Sequence, residues 1–99
     1  MVSFDPSSGG EIRKTRPAVV FSNDTANALL NRVQVLPISS QVERLYPAEA
    51  IVMLNGERRK AMGDQISTVS KRRLRRRLGT LGANDIAAVE RAVRTQLGL

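Results

Sequence analysis

Cysteine, histidine and tryptophan are all absent from this 99-residue sequence, and each absence closes off some chemistry. Without cysteine there is no disulfide and no thiolate for a metal or a nucleophile, which fits a reducing cytoplasm. Without histidine, acid–base catalysis has to run without imidazole, the group commonly used near neutral pH. Aromatic residues make up only 3% of the chain, so a core must be built from Val, Leu, Ile and Ala. Base stacking has only Phe4, Phe21 and Tyr46 to draw on. No apolar run approaches the roughly 18 residues of a membrane-spanning helix, and the N-terminus carries no signal-peptide pattern. Acidic residues are scarce: 9 against 16 Lys and Arg give a net charge of +7. That balance suits a polyanionic partner, nucleic acid first among them. Six of the cations crowd into residues 71–77, so the rest of the chain nets only +1.

What is present reads as one small domain, residues 1–99, built from short strands. Residues 1–5 form a short strand with Val2 and Phe4 on one face, and residues 6–15, with Pro, Ser, Gly and alternating charge, a mobile loop. The stretch Arg16-Pro17-Ala18-Val19-Val20-Phe21-Ser22-Asn23 is an apolar run opened by proline and closed by turn residues. It predicts a strand buried on both faces, with Pro17 at its first position, where a missing N–H does no harm. Arg16 then sits where a flexible loop meets a rigid wall, good ground for a catalytic or binding cation.

Residues 24–31 predict a polar turn with room for one helical turn. Residues 32–38 give a second buried strand, Pro37 marking a break or bulge near its end, and Ser39, Ser40 and Gln41 follow as polar groups where that strand stops. Residues 49–54 are a third strand running into Asn55-Gly56, a strong hairpin signal. Arg58, Arg59 and Lys60 lie just beyond the turn. Residues 63–69 predict a fourth strand with Gln65 on one face and Ile66 on the other. Ser70 is placed to cap a short helix through Leu78, with Gly79 just past its end and Leu74 and Leu78 facing inward. Thr80-Leu81 adds a small strand. Asn84 is placed to cap a terminal helix whose stripe is Ile86, Val89, Val93 and Leu97. Short strands, Gly/Pro turns and one closing helix make a mainly β fold, a strongly bent antiparallel barrel with a C-terminal helix.

Five pieces of the sequence, in order and over nearly its whole length, carry a resemblance. They are Glu11, the Arg16-Pro-Ala-Val-Val segment with Ser22-Asn23, Leu36-Pro37-Ile38-Ser39-Ser40, Asp64-Gln65-Ile66, and the final helix ending Leu97-Gly98-Leu99. Together they resemble the MazF/PemK family of toxin endoribonucleases. The resemblance implies an SH3-like barrel of the CcdB/PemK type, and a first strand that begins several residues earlier than Met1. It also implies cleavage of single-stranded RNA to a cyclic-phosphate product, a homodimer with RNA crossing the interface, and an acidic antitoxin whose disordered tail occupies the same groove.

Within that resemblance Arg16 sits at the scissile phosphate. Its guanidinium keeps its charge and presents a planar fork to phosphate oxygens, a role more electrostatic than basic. Ser39 takes the place of the family's Thr or Ser, with a hydroxyl that can donate to a phosphoryl oxygen. Glu11 matches the loop glutamate five residues before the arginine, where a carboxylate beside a 2′-hydroxyl can act as general base. RNA-binding candidates are Lys14, Ser40, Gln41, Arg58, Arg59, Lys60 and Gln65; for Gln65 an internal amide satisfying backbone is the simpler reading. The charges of residues 71–77 read first as a solvated helix, with RNA or an acidic partner segment as alternatives. No His/Cys set and no dense carboxylate cluster offers a metal site, so a reaction without metal or other cofactor is expected. The other readings are a gyrase poison of the CcdB type and a noncatalytic basic barrel that only binds nucleic acid. CcdB-like proteins rely on C-terminal-helix residues, commonly including a tryptophan that this chain lacks.

Overall fold

The computed structural model describes residues 2–3 and 15–99. Its strands are β1 (Val2–Ser3), β2 (Thr15–Arg16), β3 (Ala18–Val20), β4 (Arg32–Ser39), β5 (Glu49–Leu54), β6 (Glu57–Met62) and β7 (Ser67–Ser70). Helix α1 spans Asp24–Leu29 and helix α2 spans Ala83–Leu97. All strand pairings are antiparallel, and the spatial order β3-β4-β6-β5, with β7 also on β4, makes a curled half-barrel sheet closed by a C-terminal helix.

The long strand β4 organises this sheet because it pairs with three neighbours. Along one edge it meets β3. Along the other it meets β7 from Arg32 to Val35, then β6 at Ile38 and Ser39. Bonds from Phe21 N–H to the Gln34 carbonyl and from Ile38 N–H to the Pro17 carbonyl show that even-numbered residues of β4 address the β3 side. By alternation, the nitrogen of Pro37 faces the other side, between the Val35↔Ser67 and Ile38↔Ala61 pairs, where the ladder changes partners. A proline inside a buried strand costs no ladder bond at that point. The break expected at Pro37 is this exchange of partner strands.

Period-2 alternation sorts the sheet into two faces. Leu36, Ile38, Ala50, Val52 and Ala61 point to one, where Val89, Ala92 and Val93 of α2 cover them. Val33, Val35 and Val69 point to the other and gather Ala18 and Leu74. The two-residue Asn55-Gly56 turn joins β5 to β6 as expected, with φ of 53° and 78° as a type I′ hairpin requires.

Several expectations change. The run from Arg16 to Asn23 is not one strand buried on both faces: Pro17 separates β2 from β3, and β3 is an edge strand with Val20 43% exposed. Residues 63–69 divide into a 3-10 turn at Gly63–Gln65 and strand β7, because the second hairpin arm already runs through Met62. Ser70 does cap a helical turn, its hydroxyl accepting from Arg72 N–H, but the turn stops at Arg73 and no helix continues to Leu78. Adjacent cations repel, and Leu74 is drawn into the Val33 cluster in extended conformation instead. Thr80-Leu81 forms no strand. Helix α2 begins before Asn84, with Gly82 at its cap, and Ile86 and Leu97 lie 42% and 55% exposed because only the helix middle crosses the sheet. Asp85 ties its first turn down by accepting a hydrogen bond (2.9 Å) from Met53 N–H on the outer edge of β5.

Candidate active site

The β3–β4 register places Ala18 opposite Pro37, and the Ile38 N–H to Pro17 O bond of 3.0 Å carries the pairing one residue further. Arg16 comes next to Pro17 outside that last bond on one side, and Ser39 next to Ile38 on the other. These two residues, 23 positions apart in the sequence, thus stand at the same end of the β3–β4 ladder, Ser39 by alternation on the sheet face opposite α2.

Arg16 is exposed, and its backbone is held by pairing with Val2 in β1. Among the described residues it has no ion-pair partner. The Ser39 hydroxyl accepts a hydrogen bond of 3.1 Å from Gln41 N–H. An oxygen that accepts in this way keeps its own O–H free to donate. A guanidinium and a hydroxyl donor are both groups suited to phosphoryl oxygens.

The remaining candidates are spread more widely. Ser40 and Gln41 are exposed beside Ser39 in the loop of residues 40–48. Arg58 is exposed two positions along β6 from the residue paired with Ser39, and therefore on the same face. Arg59 alternates to the other face, where it pairs with Glu57 at 3.4 Å. Gln65 is exposed in the 3-10 turn, donating to Met62 Sδ at 3.6 Å. Glu11 and Lys14 lie outside the described residues.

Lys60 corrects its expected place on an RNA surface. It is only 8% exposed, and its ammonium donates to Glu49 Oε1 at 3.0 Å and to the Arg44 carbonyl at 3.1 Å. The Tyr46 ring centroid lies 5.7 Å from the same nitrogen. A cation committed in this way is not available to substrate. The sequence marks Tyr46 only as a ring for base stacking and Glu49 only as the start of a strand; the fold makes both neighbours of Lys60. The signal was there in part: a two-residue hairpin at Asn55-Gly56 fixes the register that puts Glu49 diagonal to Lys60.

The toxin profile described as PemK-like, MazF-like toxin of type II toxin–antitoxin system matches residues 1–97. The chain belongs to this family. Among curated relatives of this MazF-like chain is Endoribonuclease MazF9 of Mycobacterium tuberculosis (strain ATCC 25618 / H37Rv), 33% identical over 107 residues that cover 99% of this chain and 91% of the relative. The MazF (Form-I) structure from Deinococcus radiodurans superposes with a TM-score of 0.80 at 26% identity, covering 99% of this chain and 90% of that one. A MazE–MazF (Form-II) structure from the same organism gives a TM-score of 0.76 at 26% identity, covering 99% and 88%. The described residues thus share the MazF-like fold, Arg16 and Ser39 among them.

Proposed function

We propose that this MazF-like toxin is an endoribonuclease that cuts single-stranded RNA at the Arg16–Ser39 pair, by attack of the RNA's own 2′-hydroxyl. The 2′-oxygen forms a bond to the adjacent phosphorus while the bond from phosphorus to the 5′-oxygen breaks, leaving a 2′,3′-cyclic phosphate and a 5′-hydroxyl. Arg16 and the Ser39 O–H stabilise the charge that grows on the phosphoryl oxygens. Glu11 takes the proton from the 2′-hydroxyl, and the leaving 5′-oxygen is protonated in turn. Ser40, Gln41 and Arg58 border the path of the strand. The toxin acts as a homodimer in the cytoplasm, cleaves mRNA at selected sequences to stop translation and growth, and is held in check by an acidic antitoxin.

The observation that carries this reading is an exposed guanidinium just past the β3–β4 ladder, at the same end as a hydroxyl whose acceptor side is already occupied. The relative from M. tuberculosis bears the name endoribonuclease, and MazE–MazF complexes stand among the similar structures; both support it. The test is purified protein on a long mixed-sequence RNA in EDTA, beside Arg16→Ala and Ser39→Ala, with cut ends mapped. Discrete cuts lost in both variants are expected. RNA that is bound but never cut would overturn the reading in favour of a noncatalytic barrel, and gyrase inhibition without RNA scission would favour the CcdB-type activity.

A further inference from the structure

The loop of residues 40–48 leaves β4 at Ser39 and returns to the sheet at Glu49, and hydrogen bonds hold it at its start, middle and end. At its start Gln41 N–H donates to the Ser39 hydroxyl. In its middle the Arg44 carbonyl accepts from Lys60 Nζ, and Tyr46 N–H donates to Glu49 Oε1 at 2.9 Å. At its end the Ala48 carbonyl accepts from Gly63 N–H at 2.7 Å. The middle ties share one ion pair, Lys60 to Glu49, whose side chains are 10% and 7% exposed.

A buried ion pair is a poor choice for stability alone, because apolar residues of similar volume usually serve as well or better. Here each member has a second task that an apolar side chain cannot perform. Lys60 spends one N–H on the loop carbonyl, and Glu49 spends a lone pair on the loop amide. Lys60 is also the cross-strand partner of Ser39. The rigid β5–β6 hairpin is thereby fastened to the segment that supplies the N–H fixing the Ser39 hydroxyl.

We infer that the Lys60–Glu49 pair is a positioning clamp: it holds residues 40–48 on the sheet so that Gln41 N–H sets the Ser39 hydroxyl for donation to the phosphoryl group. The inference rests on the reading of Ser39 given above. It makes Lys60 and Glu49 positioning residues for cleavage, acting through the loop and touching no substrate. Released, the loop still covers the sheet, but the hydroxyl loses its fixed partner and turns freely. Substrate affinity, carried by exposed cations, changes little.

The experiment measures kcat and KM on an oligoribonucleotide containing a mapped cut site, and amide hydrogen exchange at Gln41, for the wild type, Lys60→Met and the milder Glu49→Gln. Val69→Ala, in the separate Val33 cluster, is the control for general destabilisation. The clamp predicts kcat roughly ten-fold lower or more in Lys60→Met, as for a misplaced catalytic group. KM should change less than about three-fold, Gln41 exchange should quicken, and Lys60→Arg should restore kcat in part. Glu49→Gln should shift the same quantities in the same direction, and Val69→Ala should leave kcat unchanged. Wild-type kcat in both clamp variants, or an equal loss in Val69→Ala, overturns the clamp. Wild-type cleavage by Ser39→Ala overturns the reading of the site and the kinetic half of the clamp, while Gln41 exchange judges the hold on the loop separately.

Discussion

Ser39 and Lys60 are partners across the β4–β6 ladder, and their side chains serve opposite ends. Among the described residues the Ser39 hydroxyl is tied by the amide of its own loop, as an acceptor, which leaves its own O–H to donate. The Lys60 ammonium is turned back into the protein by Glu49 and a loop carbonyl. Of two polar residues on one sheet face, the weaker donor is offered to the outside and the full charge is kept within. The exposed cation proposed to act with Ser39, Arg16, lies in β2, just outside the Pro17 carbonyl that accepts from Ile38 N–H.

Replacing Arg16 by alanine should slow RNA cleavage by about 10²–10³, the usual cost of losing one preorganised oxyanion donor. RNA affinity should fall far less, because other exposed cations remain. Arg16→Lys keeps the charge and loses the planar fork, so its rate should lie between the two. Single-turnover cleavage and equilibrium RNA binding measured on the same variants decide this; near-normal cleavage by Arg16→Ala would remove the arginine from the site.

Ser39→Thr should cleave at close to the wild-type rate, since the hydroxyl and its acceptor role toward Gln41 N–H survive and β-branching suits a strand end. Ser39→Ala should lose about 10- to 100-fold, equivalent to one hydrogen bond to a charged group. The comparison of the two rates is the informative quantity. Equal losses would mean that shape, and not the hydroxyl, matters at this position.

Gly63→Ala should destabilise the fold by about 1–3 kcal/mol through overpacking. A Cβ at this position would stand 2.6 Å from the Ala48 carbonyl oxygen and 3.3 Å from that of Ala92, both backbone atoms that cannot swing aside. Thermal unfolding should register a fall of several degrees. An unchanged midpoint would show that the loop end can move off the sheet at no cost.

Asp85→Ala should cost about 1 kcal/mol, by uncapping Met53 N–H and removing the acidic residue from the first turn of α2. Asp85→Asn should cost less, because an amide oxygen can still accept. Urea unfolding of the two variants separates the hydrogen bond from the charge. Equal costs would assign the effect to the helix dipole alone.

Much of the architecture was legible in the sequence because it follows from local rules. The β5–β6 hairpin is written in Asn55-Gly56, the two residues best able to adopt positive φ together, and the break in β4 in Pro37. The misreadings fall where tertiary contacts outweigh local preference. Ser70 opens a helical turn as its cap chemistry dictates, yet Leu74 leaves that helix for the Val33 cluster. The apolar stripe of α2 was read as four residues because periodicity does not say how far the sheet extends; Val89 and Val93 found it, and Ile86 and Leu97 did not.

The sequence by itself determined the composition of the site: an arginine before a proline-led strand, a serine where an apolar strand ends, and no imidazole or thiol to compete with them. That Arg16 and Ser39 stand at the same end of one ladder was decided only by tertiary structure, because strand register and not sequence separation sets it. The same holds for Lys60. From the sequence it is one of three consecutive cations after a turn, and alternation puts Arg59 on the opposite face from its two neighbours. Only the folded loop of residues 40–48, arriving over that face with a carbonyl and next to a carboxylate, turns Lys60 from a surface charge into an internal tie.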